Sequence, residues 1–110
     1  MNEIKLSKDK MKIANLLRLA RKANSLALGR TAVRKSVLNN KSYIIFSGKR
    51  NDKLIENLNI ISENINIEVC NLFDDDELSY ILGRKKLTLV AVDDKNFANG
   101  IKVELEKFKD

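Results

Sequence analysis

The feature that most constrains this chain is an alternation of two hydrophobic periods. Tyr43-Ile44-Ile45-Phe46, Ile65-Asn66-Ile67-Glu68-Val69 and Leu87-Thr88-Leu89-Val90-Ala91-Val92 are rich in β-branched and aromatic residues. They are too short for helices and read as strands. The first is continuously apolar, as a strand buried on both faces should be. Between them lie longer stretches whose apolar residues recur every three or four positions, the spacing of one face of a helix.

Residues 1–7 form a loose lead-in whose last member, Ser7, suits a helix N-cap, with Asp9 in the first turn. Ile13, Leu16, Leu17 and Ala20 supply the inner stripe of the first helix, and Lys8, Lys12, Arg18 and Lys22 fall on the opposite face. Asn24, which tolerates the left-handed conformation, ends it. Ser25-Leu26-Ala27-Leu28 predicts a short edge strand broken at Gly29, and Arg30 to Asn39 a second helix closed by Asn39-Asn40. Asn51 or Asp52 caps a third helix with inner residues Leu54, Ile55, Leu58 and Ile61. Asp74-Asp75-Asp76-Glu77 opens a fourth, carried by Leu78, Ile81 and Leu82 and closed by Gly83. Asp93 or Asp94 caps a last helical region, interrupted at Gly100, that runs to the C-terminus. Helices alternating with strands predict an α/β fold with helices on both faces of a sheet. The 110 residues, without proline, linker or internal repeat, fit one domain over 1–110.

Composition removes whole classes of chemistry. The chain has no histidine and one cysteine, Cys70, so Ser-His-Asp and Cys-His machinery, imidazole metal sites, thiolate zinc clusters and internal disulfides are all excluded. No apolar run of signal-peptide length follows Met1, and none approaches the ~20 residues that span a bilayer. The expectation is a cytoplasmic protein with no membrane association. The net charge of +6 is distributed unevenly. Residues 1–50 hold 13 of the 21 Lys and Arg but only two acids, Glu3 and Asp9. Such a basic half points to a polyanionic partner.

Two segments are candidates for that contact. In Gly29-Arg30-Thr31-Ala32-Val33-Arg34-Lys35 a glycine precedes a helix start, where unpaired amides attract phosphate. Arg30 and Arg34 lie one turn apart there, and Thr31 and Lys35 form a second such pair beside them. A solvated basic helix capped by glycine is the plainer alternative. In Gly83-Arg84-Lys85-Lys86-Leu87 three consecutive cations separate a helix end from a strand, more than the helix dipole calls for. The acids at Asp74–Glu77 and Asp93-Asp94 read as helix caps in preference to metal or catalytic groups. Gly29, Gly48, Gly83 and Gly100 are too far apart for a phosphate loop. Cys70 reads as a small core residue. Tyr43, Phe46, Tyr80 and Phe97 sit in or beside apolar runs and are expected in the core too.

The order of these segments is familiar. Lys12-Ile13-Ala14-Asn15-Leu16-Leu17-Arg18-Leu19-Ala20-Arg21-Lys22-Ala23 leads to Gly29 and Lys35. Tyr43–Phe46, Glu77-Leu78 to Gly83, and Val90-Ala91-Val92-Asp93-Asp94-Lys95-Asn96-Phe97-Ala98 follow. Over residues 8–105 the chain resembles the L-seven-Ae / L-thirty-e family of ribosomal and RNA-binding proteins, in particular its small bacterial YlxQ-like branch. The resemblance implies a three-layer α-β-α sandwich around a mixed sheet, here of roughly four strands. It also implies binding to a kink-turn or another sharply bent RNA, ribosomal RNA above all, with no catalysis, cofactor or metal. In kink-turn binders of this family a glycine is followed by any residue, Asn, Glu, two further residues and Lys, and these side chains read sheared G·A pairs. Gly29 and Lys35 match the ends of that motif. Thr31 stands in place of Asn and Ala32 in place of Glu, so a hydroxyl replaces an amide and one acceptor is lost.

The resemblance also implies that the loop at Gly83 to Thr88 covers the flipped-out nucleotide, with Leu87 against a base and Arg84, Lys85 and Lys86 on phosphates. The expected RNA-binding set is therefore Gly29, Arg30, Thr31, Arg34, Lys35, Arg84, Lys85, Lys86 and Leu87, on a monomer that associates with ribosomes. Two other functions compete: a protein-interaction module on the same fold, using ribosomal or other protein partners, and a small enzyme acting through Asp93 or Asp94.

Overall fold

The computed structural model describes residues 5–48 and 67–108. The expected third helix, at 51–61, lies outside them, as does the start of the strand expected at Ile65. The described elements are α1 (Lys8–Lys22), β1 (Leu26–Leu28), α2 (Arg30–Leu38), β2 (Ile44–Ser47), β3 (Glu68–Cys70), α3 (Asp75–Leu82), β4 (Leu89–Val92) and α4 (Lys95–Leu105). One 3-10 turn follows at Glu106–Phe108.

The caps are the ones the side chains dictate. Ser7 Oγ accepts from the Lys10 amide at 3.3 Å, and Asn24 takes φ 55° just past the end of α1. Asp74 and Glu77 close a reciprocal capping box at the start of α3: Asp74 Oδ1 accepts from the Glu77 amide at 2.8 Å, and Glu77 Oε1 from the Asp74 amide at 3.1 Å. Gly83 ends α3 with φ 62°. Asp94, rather than Asp93, caps α4 by accepting from the Phe97 amide.

The sheet has strand order β1-β4-β2-β3. β4 runs antiparallel to both β1 and β2, and β2 runs parallel to β3, so the sheet is mixed. Because side chains alternate across a strand, the two faces receive different residues. Ile44, Phe46, Val90 and Val92 pack with Ile13, Leu17, Leu78, Ile81, Ala98 and Ile101, so α1, α3 and α4 cover that face. Ala27, Ile45, Leu89 and Ala91 pack with Val33 and Val37, so α2 covers the other. This is the three-layer α-β-α sandwich. Burying a side chain of the size of Ile44 or Phe46 in this way contributes about 1.5–3 kcal/mol.

Four expectations need correction. Tyr43 and Tyr80 are not core: they are 39% and 52% exposed. Phe46 is fully buried, and Phe97 is half-buried against the core. β4 begins at Leu89, not Leu87, because Lys86 takes φ 57° and turns the chain before the ladder starts. α4 passes through Gly100 without interruption.

Leu87 itself is the fourth correction. It is 2% exposed and belongs to the core on the α1–α3 face. Its amide donates to Ser79 Oγ at 2.9 Å, which holds its backbone against α3. An inward leucine cannot lie against a base, so the exposed part of this loop is Gly83 to Lys86.

Candidate nucleic-acid interface

The first half of the site is the start of α2. Gly29 adopts φ 87° and ψ 168°, a region essentially reserved for glycine. Its amide donates to Leu89 O at 2.8 Å, which ties this turn to β4, and its carbonyl accepts from Val33. No side chain caps the helix. The amides of the first turn therefore lack an intrahelical acceptor and carry the positive end of the helix dipole. Arg30, Thr31, Arg34 and Lys35 are all exposed. Ala32 is half-buried, packed against the α2-side core.

The second half is the turn after α3. Gly83 and Lys86 both take left-handed conformations, and the Arg84 amide donates to Ser79 O at 3.1 Å. Together with the Ser79–Leu87 bond, this fixes both ends of a four-residue projection carrying Arg84, Lys85 and Lys86, all exposed.

Arg84 joins the halves. Its Nη1 donates to Leu28 O at 3.2 Å, and its Nη2 lies 3.7 Å from where a Cβ on Gly29 would sit. A side chain 56 positions along the chain from Leu28 thus lies beside the glycine that opens α2. The ion pairs formed among the described residues, Lys10–Glu77 and Lys107–Glu104, use none of the site's cations. In sequence, no acidic residue occurs between Asp9 and Asp52. The Arg84 contact brings the exposed Gly83–Lys86 turn to the start of α2, where Arg30, Thr31, Arg34 and Lys35 are exposed as well.

Arg21 also approaches this surface, although the sequence marks it only as a cation in the last turn of α1. Its Nη1 lies 3.7 Å from the position of a Cβ on Gly83. No local pattern brings α1 to this turn, so its part depends on helix packing.

The other candidate groups have structural partners. Ser36 Oγ donates to Asp93 Oδ1 and sits 2.6 Å from Ser42 Oγ. A hydroxyl has one proton to give, so the chain runs Ser42 to Ser36 to the Asp93 carboxylate. Burial raises the Asp93 carboxyl above the ordinary aspartate range, opposed by Ser36 and by the charge of Lys41. Cys70 is half-buried, and burial pushes its thiol up, which disfavours the reactive thiolate. Among the described residues no cluster of three or more acids or cysteines is placed to hold a metal ion. None of the described helices is long and apolar enough to cross a membrane.

A mixed four-stranded sheet sandwiched by helices, with a glycine-opened helix and a cationic turn meeting at one edge, defines a class of small α/β proteins. Comparison with known proteins narrows the class. The ribosomal protein L7Ae/L30e/S12e/Gadd45 family model matches residues 11–101, and the chain belongs to that family.

Solved structures share the fold. A protein of unknown function from Bacillus halodurans superposes with a TM-score of 0.75 at 21% identity, covering 86% of this chain and 97% of that one. A 15.5 kD RNA-binding protein from Giardia lamblia superposes with a TM-score of 0.68 at 11% identity, covering 94% of this chain and 90% of that one. No curated protein matches by sequence.

Proposed function

We propose that this protein binds structured RNA, without catalysis, through the face formed by the start of α2 and the turn after α3. The observation that carries the reading is the Arg84–Leu28 contact, which merges two basic segments into one surface. Membership of a ribosomal protein family and the likeness to an RNA-binding protein from Giardia lamblia support it. A kink-turn or similarly bent element, within ribosomal RNA, fits the arrangement: Arg30, Arg34, Lys35, Arg84, Lys85 and Lys86 meet phosphates, and the α2 amides donate to a phosphate oxygen of the RNA backbone. Thr31 supplies a hydroxyl to a base edge where an amide would give firmer readout. A ribosome-associated monomer of the cytoplasm is the setting this function implies.

Gel-shift titration of the protein with kink-turn RNA and with ribosomal RNA fragments tests the reading. Arg34→Glu and Lys35→Glu each weaken binding, and native affinity falls steeply as salt rises. Indifference to both RNAs at low salt refutes it. Capture of a protein partner that survives nuclease treatment would instead favour an interaction module.

A further inference from the structure

Tyr80 is an aromatic ring that the fold leaves outside. It is 52% exposed on α3, and the Arg18 guanidinium of α1 sits over it, 6.0 Å from the ring centre. Among the described residues Arg18 is held by neutral acceptors: Nε donates to Ile81 O at 3.0 Å and Nη1 to Asn15 Oδ1 at 3.2 Å. Its charge is therefore positioned, and no described carboxylate pairs with it.

The contacts Lys10–Glu77, Arg18–Ile81 and Arg21–Gly83 follow one another in the same direction along both helices, so α1 and α3 run side by side. Two adjoining surface clefts, about 330 and 450 Å³, share Arg18 along this seam. Their cations are Lys5, Arg18, Arg21 and Lys22, their exposed apolar groups Met11 and Tyr80, and no described carboxylate lines either cleft. The nearest acids on α3, Asp76 and the Lys10-paired Glu77, lie toward its start, away from Gly83. At its other end the groove reaches the Gly83 turn through Arg21.

We infer that the α1–α3 groove takes an unpaired stretch of RNA running on from the element bound at the Gly29–Gly83 face, with one base stacked on Tyr80. The inference rests on the reading of that face as RNA-binding. Unpaired bases seek aromatic and guanidinium planes, and single strands follow cationic grooves. An exposed ring beside a positioned guanidinium, among four cations continuous with the proposed face, meets both needs. A duplex, with its bases paired and inside, would leave Tyr80 unused.

The test compares a blunt kink-turn RNA with the same RNA carrying an oligoadenosine tail of about six nucleotides, within the span of single-strand sites, at each strand end in turn. The native protein holds one tailed RNA about tenfold more tightly than the blunt one, the effect of about one stacked base. Tyr80→Ala abolishes that margin and leaves blunt binding unchanged, while Tyr80→Phe, which keeps the ring, retains it. If blunt RNA binds but no tail adds affinity, or if Tyr80→Ala leaves the margin intact or weakens blunt and tailed RNA equally, the groove assignment is overturned and the Gly29–Gly83 face stands. A groove that serves a protein partner gives the first of these results. If neither RNA binds, the face itself is refuted and this inference falls with it.

Discussion

The Arg84 guanidinium donates to the Leu28 carbonyl at 3.2 Å, across 56 residues of chain, and comes to rest against Gly29. That contact joins the Gly83 turn to the start of α2 in this L7Ae/L30e/S12e/Gadd45 family member. It also makes Arg84 the residue whose loss is felt by both.

Replacing Arg84 separates its charge from its geometry. Arg84→Ala removes a cation and the bridge to Leu28, and weakens RNA binding with a salt dependence shallower by about one in slope, as for a lost phosphate contact. Arg84→Lys keeps the charge, but a single ammonium cannot serve Leu28 and a phosphate as a guanidinium fork does. Its affinity falls between those of the native and alanine proteins. Filter binding across a salt series measures both effects.

Gly29 is required by conformation, not by space. A Cβ there would be 3.7 Å from the nearest atom, ordinary contact, but φ 87° with ψ 168° is hostile to any side chain. Gly29→Ala destabilises the protein by about 1–3 kcal/mol. Equilibrium urea denaturation reads this as a lower midpoint at unchanged slope.

Thr31 and Ala32 occupy the exposed and half-buried sides of the first turn of α2. Thr31→Asn with Ala32→Glu restores the amide and carboxylate of the kink-turn motif. Each base contact regained is worth about 1–3 kcal/mol by analogy with DNA readout. The double variant therefore binds a kink-turn RNA at least about tenfold tighter than the native protein. It shows no such gain on an RNA whose sheared G·A pairs are replaced by Watson–Crick pairs, and parallel titrations of the two RNAs decide the matter.

Asp93 gives a pH-dependent term of definite sign. Burial raises its carboxyl in the folded state, against the pull of Ser36 and Lys41. The folded protein then binds this proton more tightly than the unfolded chain. Asp93 accordingly subtracts stability as pH rises from the ordinary aspartate value through its raised one. Asp93→Asn, which still accepts from Ser36, lacks that loss, so its stability relative to the native protein improves between pH 3 and pH 7, the range (about four units) that brackets aspartate titration. Urea midpoints at the two ends of the range check the sign.

Local chemistry was legible in the chain itself. The two hydrophobic periods predict the alternation of α1, α2, α3 and α4 with strands, and the caps at Ser7, Asp74, Asp94 and Gly83 follow from side chains reaching amides three residues on or from a left-handed stop. Tyr80 was legible as well. With Leu78, Ile81 and Leu82 facing inward, a residue about 200° around the helix from Leu78 faces out. Its apolar neighbours in sequence concealed that.

The sequence by itself determined which segments are helices and strands and which side of each is apolar, because period and capping act over a turn or less. Only the tertiary structure decided that the Gly83 turn meets Gly29, that Leu87 turns into the core while Arg84 crosses to Leu28, and that Arg21 and Arg18 lie along α3. Those relationships depend on strand order and on which helix covers which face of the sheet. They arise when separate apolar stripes are buried together, and no spacing along the chain encodes them.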